Sequence, residues 1–98
     1  MVVVAEFSIH PVGRGTSVGR HVKAAVGAIS RIEGLRYQVN PMSTVLEADK
    51  IETILRAVTA AHAAVRALGA RRVSSLLRID ERLDKARSME DKMLAIAS

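Results

Sequence analysis

The chain has no cysteine and no tryptophan, and only one phenylalanine and one tyrosine among its 98 residues. Without cysteine there can be no disulfide, no thiol nucleophile and no thiolate metal site, which fits a reducing compartment. Phe7 and Tyr37 are too few to build the aromatic platforms on which single-stranded nucleic acids stack. No apolar run approaches the roughly 20 residues that cross a bilayer, so no membrane association is expected. The first residues enter a strand-like run without a basic flank, so a signal peptide is not expected and a cytoplasmic location is. Linkers and low-complexity tracts are absent, and residues 1–98 read as one domain.

About half of the residues are apolar, 49%, which is too many for a disordered chain. The formal net charge is +5, a balance compatible with an anionic ligand or nucleic acid. Apart from Arg71-Arg72 the basic residues are scattered along the sequence, so no nucleic-acid partner is expected.

Val2 to His10 opens the chain as a β-branched and aromatic strand, with Pro11 helping to end it. Alternation puts Glu6, Ser8 and His10 on one face and Phe7 and Ile9 on the other. Gly13 and Gly15 suit a tight turn, and Thr16 or Ser17 suits the N-cap of a helix reaching about Glu33. Its apolar stripe is Val18, Val22, Ala25, Val26, Ile29 and Ile32, and Gly34 ends it. Leu35–Val39 and Met42–Ala48 read as strands around an Asn40-Pro41 turn. Asp49 and Glu52 resemble a capping box for a second helix, with Ile51, Ile54, Leu55, Val58, Ala61, His62, Val65 and Leu68 as its stripe and Gly69 at its end. Arg72–Ile79 is a fourth strand. Asp80–Arg87 reads as a solvated connection. Ser88 caps a last helix whose inner side is Met89, Met93 and Ile96.

This order predicts an α+β, ferredoxin-like βαββαβ sandwich with an added C-terminal helix. Its four-stranded antiparallel sheet has the first and third strands at the centre. Phe7, Ile9, Leu46, Ala48, Leu77 and Ile79 would face the helices. Glu6, Ser8, His10, Ser43, Val45, Glu47, Leu76, Arg78 and Asp80 would line the opposite face. A face mixing these charges with Val2, Val4, Val45 and Leu76 suits a protein interface or a ligand site. Glu6, Glu47 and Arg78 would equally serve as a cross-strand ion network on a solvated face.

Val4-Ala5-Glu6-Phe7-Ser8-Ile9-His10-Pro11-Val12-Gly13, Thr16-Ser17-Val18 and Pro41-Met42-Ser43-Thr44-Val45-Leu46-Glu47 resemble the small thiamine-binding protein family. Arg71-Arg72-Val73 and Arg78-Ile79-Asp80-Glu81-Arg82 extend the resemblance over nearly the whole chain. It implies a homo-oligomer, a dimer of dimers with sheet faces buried between subunits. It also implies non-enzymatic binding of thiamine, or of its hydroxymethylpyrimidine half, near a subunit interface. Thiamine would be a ligand there; no catalytic cofactor and no catalytic residue is implied. The matching positions are Ser8, Pro11, Gly13, Ser17, Met42, Thr44 and Glu47, with Ser43 standing where the family commonly has glycine. In such a site Glu47 would accept a hydrogen bond from the aminopyrimidine edge or offset the thiazolium charge. Ser8, Ser43 and Thr44 would supply neutral hydrogen bonds, Met42 a soft wall and Tyr37 an aromatic lid. Glu6 and Arg78 complete the candidate set. Thr44 shares the parity of the helix-facing residues, so its role requires a strand-end position or a bulge.

A ligand-free oligomerising domain is the alternative reading, and an enzyme acting on a phosphorylated metabolite through Arg14 and Arg78 is a weaker one. Gly13–Ser17 opens a helix, where anions bind, but it carries neither the dinucleotide fingerprint nor a P-loop. His10, His21 and His62 share no metal-ligand spacing. His62 is expected to pack within its apolar stripe; His10 ends the polar row of the first strand, with a place at the border of the ligand pocket as the lesser reading.

Overall fold

The computed structural model describes residues 2–13, 15, 18–84 and 88–97. The elements are β1 (Val3–Pro11), α1 (Gly19–Ile29), β2 (Arg36–Val39), β3 (Thr44–Ala48), α2 (Ile51–Ala67), β4 (Val73–Glu81) and α3 (Met89–Ala97). The strands form one antiparallel sheet in the order β2-β3-β1-β4, with β1 and β3 at the centre as expected.

Period-2 alternation in the central strands sets the core. Val3, Ala5 and Phe7 on β1 and Leu46 and Ala48 on β3 pack against Ala25 and Ile29 of α1 and Ile54, Ala57, Ala61 and Val65 of α2. Ile9, Leu77 and Ile79 close the margin. The core line of α1 runs through His21, Ala25 and Ile29, spaced four residues apart. Val22, expected in the stripe, is exposed, because the helix is rotated so that small Ala25 meets α2. On α2, Thr53 and Ala57 are buried and Leu55 is exposed, by the same kind of rotation. Alanines at these positions let two helices lie close together on one sheet.

Several boundaries move. The helix expected to reach Glu33 stops at Ile29, and Ser30–Gly34 forms turns that Gly34 closes at a φ of 81°. The expected caps Thr16 and Ser17, and Arg14 of the candidate anion loop, lie outside the described residues. Asp49 does not cap α2: Lys50 occupies that position without a side-chain cap, and Asp49 instead lies 3.9 Å from Arg36. Strand β2 begins one residue later than expected, and β3 begins at Thr44, leaving Met42 and Ser43 in the turn. Strand β4 runs on to Glu81, so Asp80 and Glu81 are strand residues paired with Val4 and Val3 rather than a solvated connection.

β1 outruns its partner β3. Their pairing ends at Phe7 opposite Thr44, whereas Ser8–Pro11 continue paired with β4 alone. One side of Ser8–Pro11 therefore has no neighbouring strand. Ser88 does cap α3: its N–H donates to Asp91 Oδ2 (3.2 Å) and its Oγ accepts from the Asp91 N–H (3.1 Å), a reciprocal pair. The expected inner side of α3 is only partly covered. Met89 is half-buried, but Met93 is exposed and Ile96 is 88% exposed.

Candidate functional site

Two cavities flank the sheet, one on each face. On the face away from α1 and α2, α3 stands over the strands and leaves a groove of about 930 Å³. Its walls are the sheet residues Val4, Glu6, Val45 and Arg78, the β2 and turn residues Gln38 and Asn40, and Met89, Met93 and Ile96 of α3. Asp80 and Lys92 tie α3 to β4 at one side of this groove. The hydrogen bond from Lys92 holds the Asp80 carboxyl below its ordinary range. Across the floor Arg78 faces Glu6 at 4.0 Å, in line with their cross-strand register.

The second cavity is a crevice of about 110 Å³ at the end of the sheet where the β2–β3 hairpin turns. Phe7, Ser8 and Ile9 form one wall, Val22, Ala25, Val26 and Ile29 of α1 another, and Val39 with residues 40–44 the third. The turn is closed by the Asn40 N–H donating to the Ser43 carbonyl at 2.8 Å. Asn40 lines both cavities, and its Oδ1 accepts from Gln38 Nε2 at 3.2 Å. The two cavities thus meet at one residue that rounds the end of the sheet.

The structure divides the sequence-derived candidates. Glu6 and Arg78 line the groove. Ser8, Met42, Ser43 and Thr44 come together at the crevice. Thr44 has the parity of the helix-facing residues, and it is the first residue of β3, the strand-end position its role requires. Met42 projects from the turn and is 88% exposed.

Glu47 and Tyr37 line neither cavity. Glu47 is only 4% exposed although its parity puts it on the groove side of the sheet. Arg36, directly opposite on β2, donates from Nε to Glu47 Oε2 at 2.9 Å. That hydrogen bond, with the carboxylate's charge, raises the Arg36 guanidinium further above its already high range. Glu47 therefore fastens the edge strand. Tyr37 lies opposite Leu46 and so shares the helix-facing side.

His10 is exposed at the end of β1 and borders neither cavity. His62 does not simply pack within its stripe: its Nε2 lies 2.7 Å from Ser75 Oγ, joining α2 to β4. His21, which sequence spacing set aside, is 8% exposed, and neither ring nitrogen has a hydrogen-bond partner among the described residues. Its one signal was position, four residues before Ala25 and eight before Ile29. Sequence reasoning also missed Asn40, whose interest comes only from the meeting of two cavities. Among the described residues no group of three or more histidines and carboxylates is placed to hold a metal ion.

A UPF0045 protein of Methanothermobacter thermautotrophicus is 38% identical over 96 residues, covering 97% of this chain and 96% of the relative. The UPF0045 protein MJ1052 of Methanocaldococcus jannaschii is 45% identical over 94 residues, covering 96% and 91%. The crystal structure of MJ1052 superposes with a TM-score of 0.89 at 44% identity, covering 98% of this chain and 96% of that one. TM0486 of Thermotoga maritima shares the fold, with a TM-score of 0.82 at 22% identity over 98% of this chain and 99% of that one. A family model described as thiamine-binding protein matches residues 5–97. With that match over nearly its full length, the chain belongs to the thiamine-binding protein family.

Proposed function

We propose that the protein binds thiamine, or the hydroxymethylpyrimidine half of it, without turning it over. One observation carries this reading: a ring-sized apolar crevice and a larger, charged groove meet at Asn40. Thiamine has matching parts, an aminopyrimidine ring and a cationic thiazolium bearing a hydroxyethyl arm. An apolar cavity of about 150 Å³ accepts one benzene ring, and the crevice, at about 110 Å³ and open on one side, is on that scale. Here the pyrimidine ring packs against Val22, Val26 and Met42, with Ser8, Ser43 and Thr44 as hydrogen-bonding groups. Ser43, in place of a glycine, narrows the rim. The thiazolium reaches the groove, where Glu6 offsets its charge.

Family membership supports the ligand class, and the Thermotoga maritima protein of the same fold is described in connection with thiamine biosynthesis and salvage. The groove's volume falls at the upper end of small-molecule pockets, roughly 300–1,000 Å³. Its mouth is rimmed by Met93 and Ile96, and Leu76 lies exposed on the same face of the sheet. We read that apolar area as the surface a second subunit covers, which would make the site part of a homo-oligomer. The same exposed residues also favour a second reading, a ligand-free oligomerising domain.

Calorimetric titration with thiamine, hydroxymethylpyrimidine and thiamine phosphate separates the two. Micromolar binding of thiamine or hydroxymethylpyrimidine, weakened about tenfold by Thr44→Val and by Glu6→Gln for thiamine, is expected. No heat from any of the three, with a folded oligomer in the cell, overturns the binding reading and leaves the oligomerising one.

A further inference from the structure

The geometry points to the Pro11 end of the sheet as a docking surface for the phosphate backbone of duplex nucleic acid. Two stretches of the chain, residues 7–32 and 53–79, contain no aspartate or glutamate. Antiparallel pairing brings their basic parts together. β1 ends at Pro11 opposite Val73, the first residue of β4, and the Val12 N–H donates to the Arg72 carbonyl at 2.8 Å. The last turn of α2 leads into that same start of β4, and α1 begins just beyond the end of β1. Arg20 and Lys23 of α1, Arg66 of α2, and Arg71 and Arg72 before β4 therefore share one end of the molecule, and all five are exposed.

None of these five makes an ion pair among the described residues. Elsewhere Arg36, Arg78, Arg82 and Lys92 each have a carboxylate partner, and Arg31, Lys50 and Arg56, which make no ion pair among the described residues, lie toward the end that also carries Glu33, Asp49 and Glu52. Glu33, Asp49, Glu52, Asp80 and Glu81 lie at or beyond the opposite end of the sheet. The charge that looks scattered in the sequence is thus sorted by the fold into an unneutralised cationic end.

Four of the five cations are arginines, whose planar fork matches phosphate oxygens. Ser74 lies exposed beside them as a hydroxyl donor. Neither Phe7 nor Tyr37 stands at this end: Phe7 is buried in the core and Tyr37 lies on β2 at the far edge of the sheet, which leaves the small His10 imidazole as the exposed ring there. A surface that neutralises phosphates and offers bases no phenylalanine, tyrosine or tryptophan to stack on fits a duplex read through its backbone, without sequence preference. None of the five cations lines the crevice or the groove, so the inference does not rest on the ligand reading.

A basic protein binds DNA weakly wherever its charge lies, so the test compares equal charge changes at two places. Fluorescence anisotropy with a labelled 20-base-pair duplex is measured for the wild type, for Arg71→Glu/Arg72→Glu, and for Arg31→Glu/Arg56→Glu at the opposite end. Neutralising about four phosphates predicts a log Kd against log salt slope of roughly 3 to 4 in magnitude. The Arg71/Arg72 variant should lose at least tenfold in affinity and about two units of that slope, and the Arg31/Arg56 variant less than threefold. If the reversed pair fails to fold, Arg71→Gln/Arg72→Gln makes the same comparison at half the charge. Equal losses from both ends overturn the proposal, as does competition by polyglutamate that matches competition by DNA. Thiamine titration of the Arg71/Arg72 variant keeps this result distinct from that of the ligand reading.

Discussion

Removing Arg36 should cost far more than removing the carboxylate it serves. Glu47 is 4% exposed, and Arg36 Nε is its hydrogen-bond donor at 2.9 Å. Arg36→Ala leaves the largely buried Glu47 carboxylate without its donor. Stranding one member of a fully buried pair costs about 3–5 kcal/mol, whereas an exposed pair contributes about 0–1 kcal/mol. The Arg36 side chain is about half exposed, which places this pair between those limits, at about 2 kcal/mol. Glu47→Leu removes the buried charge and fills the space with carbon, and should change stability by under about 1 kcal/mol. In a chain of 98 residues, 2 kcal/mol corresponds to a fall in Tm of about 8–16 °C. Denaturant unfolding of both variants and the double variant, at one fixed protein concentration, measures the asymmetry directly. If Glu47→Leu is the more damaging change, or if Arg36→Ala costs under about 0.5 kcal/mol, then the carboxylate is not stranded and the argument from burial is wrong.

His21→Leu should stabilise the protein by about 1 kcal/mol, because it removes two sealed, unpartnered ring nitrogens; a loss of that size in urea unfolding would mean that the imidazole has a partner in solution. Gly34 sits at a φ of 81° with open space around its missing Cβ, so Gly34→Ala should cost about 1 kcal/mol from backbone strain alone, read as a Tm fall of about 4–8 °C. The attachment of α3 should depend on pH. Lys92 lowers the Asp80 pKa, so the contribution is fully present above the ordinary carboxylate value near 3.9 and is lost as pH falls through the depressed one. Amide protection factors in α3, corrected for the intrinsic exchange rate at each pH, should therefore stay unchanged from pH 7 to about pH 5 and fall only in stronger acid, while Lys92→Met should lower them already at neutral pH.

The element order and the placing of β1 and β3 at the centre were legible because period-2 and period-3.6 patterns are strong in this chain. What the patterns could not show was rotation about a helix axis. A stripe containing Val22 and a line containing His21 differ by one position, and the choice falls to whichever lets Ala25 approach α2. Parity placed Glu47 on the groove side of the sheet, but its burial depends on Arg36 in a neighbouring strand, a contact absent from either strand's own pattern. Of the positions the resemblance groups, Ser8, Met42 and Thr44 meet at the crevice, whereas Pro11, Gly13 and Glu47 line neither cavity and Ser17 lies outside the described residues. Glu6 and Thr44 were read as one site, although the sheet separates them. The turn residue Asn40 lines both cavities, and no spacing rule describes that.

The overhang of β1 past β3 has a consequence for how this protein can drift. Along Ser8–Pro11 one flank of the backbone has no strand beside it, and Ser8 and Ile9 line the crevice there. Peptide groups are the same whatever side chain they carry. A guest held through them would be recognised by chain geometry, beside whatever the Ser8 hydroxyl contributes. Lengthening β3 by two residues would erase that recognition, because the sheet would then satisfy those groups itself. The vulnerable inheritance at this spot is a length difference between two strands.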